Sequence, residues 1–234
     1  MPADPLTAPA VRSVAEAVSR MEAIASALRP DDGLACFNRM YLMVTQLVGA
    51  QITAGFFADR AFMDRLDVVF ANLYFGAVRA SVARPERVPR AWAALLDRRT
   101  AGQVLPIQFA LAGMNAHINH DLPLALVSTC TALRTSPGAG SHRRDYRRVN
   151  ALLARAEEQV RESFETGLLL EIDRRVRVEN MVGNWSIGAA RDAAWANGNA
   201  LWTIRGIPPL RSEFTKALDR TVGFAGRGLL TPIP

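Results

Sequence analysis

The chain has 234 residues, half of them hydrophobic and 21% charged, enough for one substantial core and unlike an intrinsically disordered composition. Its net charge of +6 rests on arginine, Lys216 being the one lysine, and the densest basic cluster (His142 to Arg148) contains Asp145 and reads as a solvated helix face, which argues against a nucleic-acid partner. The N-terminal MPADPLTAPAVRS lacks the layout of a secretory signal, the apolar runs are interrupted too often for a membrane span, and Cys36 and Cys130 read as buried free thiols; a cytoplasmic protein is expected.

Apolar residues recur every three to four positions, which predicts helices throughout. The first spans residues 10–28. The second, 32–52, places Asn38, Tyr41 and Thr45 on the face of Leu34, Val48 and Ile52. The third, 60–82, puts Asp67 among Met63, Phe70, Tyr74 and Val78. A short helix at 89–98 precedes one at 103–122, and Pro123 opens the next, 123–133. A long helix, 145–176, carries Asn150 and Glu157 on the face of Tyr146 and Leu153. The helix 184–204 groups Asp192 and Asn199 with Trp195 and Trp202, and a short helix covers 212–221. Proline and glycine mark the breaks, none long enough to be a linker. The expected fold is all-α: a single-domain helical bundle of about eight helices around a polar central cavity. Residues 1–9 and 223–234 read as tails flanking a domain at 10–222.

The most informative stretch is GMNAHINHD, residues 113–121, which lies between the apolar runs VLPIQFALA and LPLALV. It holds two of the chain's three histidines. At 100° per residue His117, His120 and Asp121 share an arc with Gly113, which leaves room beside His117 for a ligand or a neighbouring helix. Gln108, Asn115 and Asn119 fall on the opposite side. Pro123 has no N–H to offer Asn119, so the helix is expected to stop or kink just after the histidines. Each polar residue has a bland reading as a satisfied core or interhelix group. Burying so many together is costly, which favours a site.

Two chemistries suit such a site. In the first, His117, His120 and Asp121 perform acid–base catalysis, while Asn115, Asn119, Asn38, Tyr41, Asp67, Glu157, Asp192 and Trp195 bind substrate. In the second, His117, His120 and Asp121 hold a divalent metal (Zn, Fe or Mn) at helical ligand spacing; no cofactor is the favoured reading. A third reading denies catalysis and leaves a hydrophobic-ligand-binding or structural protein. There is no P-loop, dinucleotide fingerprint or Gly-x-Ser-x-Gly elbow.

The segments GMNAHINHDLPLAL, FNRMYLMVT, DYRRVN and ARDAAWANGNALW together resemble an actinobacterial family of unknown function, over roughly Asp32 to Trp202. Such proteins are often encoded among genes for specialised metabolites. The resemblance therefore implies an enzyme of lyase, isomerase or cyclase type on a polyketide- or terpenoid-like small molecule.

Overall fold

The computed structural model describes residues 4–165 and 186–233, with the side chains of 154–165 excepted. Within these residues every regular element is helical and the chain forms a single domain. The helices are α1 (Val14–Ala27), α2 (Gly33–Thr53), α3 (Arg60–Ala83), α4 (Arg90–Leu96), α5 (Pro106–Met114), α6 (Leu122–Ala132), α7 (His142–Glu165), α8 (Ile187–Thr203) and α9 (Pro208–Leu229). A π-helical segment, Asn115–Asp121, joins α5 to α6 without a break, so the described residues form eight rods.

Local chemistry sets the starts. Ser13, Asp32, Asp59 and Ser186 each accept a backbone N–H of the first turn that follows them. Pro106 and Pro208 open α5 and α9, where a missing N–H costs nothing. Arg99 adds a forked ion pair to the Asp32 cap, at 2.7 to 3.0 Å.

Two apolar clusters meet in the middle of the bundle. One, between α1, α2, α3, α4 and α5, contains Met21, Phe37, Tyr74, Trp92 and Phe109. The other gathers Val48, Phe62, Leu66, Ile118, Tyr146 and Trp195 from α2, α3, the π segment, α7 and α8. Gly113 lies against the first cluster, where an added Cβ would overlap the buried ring of Phe37. The space expected beside His117 is filled on that side by a neighbouring helix.

Several expectations change. Of the stop or kink expected just after the histidines, the stop does not occur. The π turn, in which the Leu122 N–H reaches the His117 C=O, carries the chain on into α6, and Pro123 is the second residue of that helix. The segment read as a C-terminal tail continues α9 to Leu229 and packs on α4, α5 and the π segment. Helix α3 is long and apolar enough to cross a membrane by length and composition alone, contrary to the sequence reading. Phe62, Leu66, Tyr74 and Val78 on it are nevertheless buried in the protein core. The His142–Arg148 cluster is not a uniformly solvated face. His142, Asp145 and Tyr146 are buried, with His142 held between Ser136 C=O and Asp59 and stacked on Phe62.

Candidate functional site

The π segment gathers three N–H donors onto one carboxylate. A wider turn rotates each residue less than an α-helix does, so His120 and Asp121, adjacent in sequence, can approach each other while His117 lies one turn below. His117 Nδ1–H donates to Asp121 Oδ2 at 3.0 Å, and Trp92 Nε1–H from α4 donates to the same oxygen at 2.9 Å. His120 Nδ1–H donates to Asp121 Oδ1 at 2.8 Å. Burial opposes the Asp121 charge, but the two imidazole bonds hold its carboxyl below the usual range.

The two histidines then face different spaces. His117 is stacked on Phe70 with ring centroids 3.5 Å apart and has Tyr41 edge-on at 4.3 Å. Burial holds its imidazole below the ordinary value in spite of Asp121. It is therefore neutral at pH 7, with the proton on Nδ1 and a bare lone pair on Nε2. That Nε2 is buried and has no hydrogen-bond partner among the described residues. His120 Nε2 lies 3.7 Å from Asp219 Oδ1, beside a surface groove lined by Arg87, Leu124, Arg211 and Lys216. Burial opposes the charge of His120, yet the bond to Asp121 and the charges of Asp121 and Asp219 leave its value raised.

His117 lines a cavity of about 80 Å³ between the two apolar clusters. Its walls are mainly apolar, with Phe37, Met40, Val44, Phe70, Met114 and Leu153 among them. Four polar side chains share that lining: His117, Tyr41, Asp67 and Arg191. The Tyr41 hydroxyl and Asp67 Oδ2 are buried without partners among the described residues. Burial, then the nearby Asp67 charge, keeps the Tyr41 hydroxyl protonated far above neutral pH. Burial and repulsion from Asp64, opposed by Arg191, push the Asp67 carboxyl up to about 7. The site thus offers a base, a neutral hydroxyl, a carboxyl near its midpoint and a cation.

Of the residues expected from sequence, His117, His120 and Asp121 come together, but as a hydrogen-bonded chain whose two ends serve different spaces. Tyr41 and Asp67 reach the cavity. Asn38 does not: its amide donates to Met21 C=O at 2.8 Å and accepts from Tyr74 at 3.0 Å, tying α1, α2 and α3 together. Asn115 donates to Val222 C=O on α9 and accepts from Asn119, so this pair is interhelix bonding as well. Trp195 packs on Tyr146 in the second cluster. Asp192 is half exposed, 3.8 Å from Arg147, rather than inward. The side chain of Glu157 lies outside the described residues. Asp121 already spends both oxygens on imidazole N–H groups. Among the described residues no three His, Cys, Asp or Glu side chains converge as a metal site.

Sequence reasoning missed Arg191 and Trp92. On α8 the buried residues are Arg191, Ala194, Trp195, Gly198 and Leu201, one position away from the stripe expected through Asp192 and Asn199. The small residues Ala194 and Gly198 carried that signal, but an arginine heading an inward stripe runs against ordinary burial preference.

A family model described as a family of unknown function (DUF5995) matches residues 14–232. No curated protein and no solved structure matches the chain.

Proposed function

The chain belongs to this family of unknown function, and we propose that it is a small-molecule enzyme in which His117 acts as general base on a molecule held in the adjoining cavity. The observation that carries this reading is the unpartnered Nε2 lone pair of His117, a residue that lines the cavity, while Asp121 fixes the opposite nitrogen as N–H. A neutral imidazole so oriented accepts a proton from the bound molecule, and Asp121 stabilises the imidazolium that forms. Tyr41, still protonated, donates a hydrogen bond to the oxygen on which charge develops. Asp67, titrating near neutrality in the cavity lining, would return a proton at a second position. That division of labour suits lyase, isomerase or cyclase chemistry.

The volume supports a smaller substrate than the sequence suggested. An engineered apolar cavity of ~150 Å³ takes one benzene, and about 80 Å³ accommodates a few heavy atoms or one end of a longer molecule. Action on a polyketide- or terpenoid-like compound, in the cytoplasm of an actinobacterium and within specialised metabolism, belongs to the same proposal. A metal-dependent hydrolase or oxygen-handling enzyme has less support, because both oxygens of Asp121 are engaged by the histidines.

The test uses carbon acids in D2O. Small ketones, aldehydes and acids that ligand-observed NMR shows to bind are incubated with the full chain, and deuterium incorporation beside the carbonyl is followed. Exchange catalysed by the wild type should fall about 10²- to 10⁴-fold in H117N, the range for loss of a general base. Binding with no exchange above buffer in any bound compound would leave a binding protein and sink the catalytic reading.

A further inference from the structure

The cavity's four polar groups form an unbalanced set. His117 Nε2 is an acceptor, while the Tyr41 hydroxyl and the guanidinium of Arg191 are donors. Asp67 joins the donors whenever it carries its proton. Arg191 is 6% exposed and rises from α8 into the lining. Its Nε donates to Asn150 Oδ1 at 2.6 Å and its Nη2 to Tyr146 C=O at 2.9 Å. The guanidinium carbon sits 4.2 Å from the centre of the Tyr146 ring. These contacts fix the orientation of the fork with neutral groups only. Among the described residues no carboxylate lies within ion-pair distance of Arg191 and no hydrogen bond engages Nη1. A buried cation without a paired anion is unfavourable, and a bidentate anion is the partner that a guanidinium's planar fork fits best.

We propose that the cavity's occupant is a short carboxylic acid whose carboxylate pairs with Arg191 and whose hydrogen-bearing carbon or hydroxyl meets His117. The second half of that statement rests on the function proposed above; the first stands on the cavity alone. A hydrocarbon would leave His117 Nε2, the Tyr41 hydroxyl and Asp67 Oδ2 without partners, and a cation would face Arg191. A neutral ketone could accept from Tyr41 but would bring the guanidinium no direct anionic partner, and none lies within ion-pair distance among the described residues. A carboxylate answers Arg191, and its second oxygen can accept from the Tyr41 hydroxyl or from a protonated Asp67. The space, about 80 Å³, limits the enclosed part of the acid to about the size of propionate or a small 2-hydroxy acid.

Calorimetry or ligand-observed NMR on the full chain at pH 8 tests this with propionate, isobutyrate and 2-hydroxypropionate, each against its own amide. The acids should bind at least tenfold more tightly than the amides. Replacing Arg191→Gln, which keeps an amide donor near Tyr146 C=O, should abolish that preference. Because Arg191 also holds α8 on α7, Asp67→Asn provides the variant that spares those contacts. It removes the competing negative charge, so acids should bind up to about tenfold more tightly at pH 8 while amides are unaffected. No binding by any acid, equal binding of acids and amides, or acid binding indifferent to both substitutions would each overturn the proposal. Acids that bind with this preference but never exchange deuterium would leave it standing and remove the catalytic reading. Exchange confined to neutral ketones would do the reverse.

Discussion

Asp121 accepts from His117, His120 and Trp92 at once, and that concentration makes it the residue whose loss is most informative. An asparagine in its place offers one acceptor oxygen and an NH2 that cannot accept. At least one former donor is then left facing a donor, and the charge that favours the Nδ1–H tautomer of His117 is gone. Asp121→Asn is expected to destabilise the protein by about 3 kcal/mol, the scale for breaking a buried ion pair, and to suppress deuterium exchange by ~10³- to 10⁴-fold. Urea denaturation and imidazole ¹⁵N shifts check this together; unchanged Nδ1–H signals at His117 would refute the assigned role. How much of the site the sequence discloses follows from this same geometry. His117, His120 and Asp121 lie within one turn of each other, so their meeting needs no knowledge of the tertiary fold. Asn38, Asn115 and Asn119 point inward as expected, but an inward amide reads the same in sequence whether it meets a cavity or the carbonyl of the next helix. Only the position of Met21 C=O and Val222 C=O decides, and that is set by packing.

Helix identities are legible because apolar residues recur at helical spacing in α1, α2 and α3, and the caps at Ser13, Asp32 and Asp59 mark their starts. The π turn is not legible. A one-residue change in hydrogen-bond register leaves the apolar pattern almost intact while it re-aims His117 and His120. The end of the chain misleads for a different reason: Gly223, Gly226 and Gly228 look like tail residues. In fact an added Cβ at Gly223 would lie 2.6 Å from Arg90 C=O, so glycine there permits α9 to lie against α4. Side chains from the rest of the bundle then grip the backbone of this end. Gln108 donates to Leu229 C=O and Thr231 C=O, and Arg98 donates to Leu230 C=O. Truncation after residue 222, the boundary suggested by sequence, would take both acceptors from the buried Gln108 amide and remove Leu230 from the first apolar cluster. At about 1–3 kcal/mol for each unsatisfied buried group, against a total stability of roughly 5–15 kcal/mol, the truncated chain is expected to lose most of its cooperative unfolding transition. Circular dichroism melting of the 1–222 chain would settle it, a transition matching that of the full chain being the contrary result.

At the scale of the whole molecule the cavity sits where the two apolar clusters join, so the ionisation of its lining is linked to folding of the entire domain. Asp67 is the clearest instance. Its carboxyl is held at about 7 in the folded protein against an ordinary 3.8, because burial and Asp64 disfavour its charge more than Arg191 favours it. The folded state therefore binds a proton that the unfolded state releases between about pH 4 and 7. Stability associated with this group is fully present below the unfolded value and is lost as pH rises through the folded one, up to roughly 4 kcal/mol in all. His117 works in the opposite sense. Its depressed folded value means that the unfolded chain takes up a proton below about pH 6.5 that the folded chain resists, so this contribution falls with acidification. His120, raised by Asp121 and Asp219 against the effect of burial, sides with Asp67 and loses its contribution as pH climbs. A stability profile of the wild type alone would mix all three. The difference between wild type and Asp67→Asn isolates one, since asparagine fits the same space and does not titrate. Urea midpoints for the two proteins should nearly coincide at pH 4 and separate steadily to pH 8. There the variant should be the more stable, by a few kcal/mol at most. Parallel profiles over that range would mean that Asp67 ionises freely in the folded state, and the cavity would then lose its neutral acid.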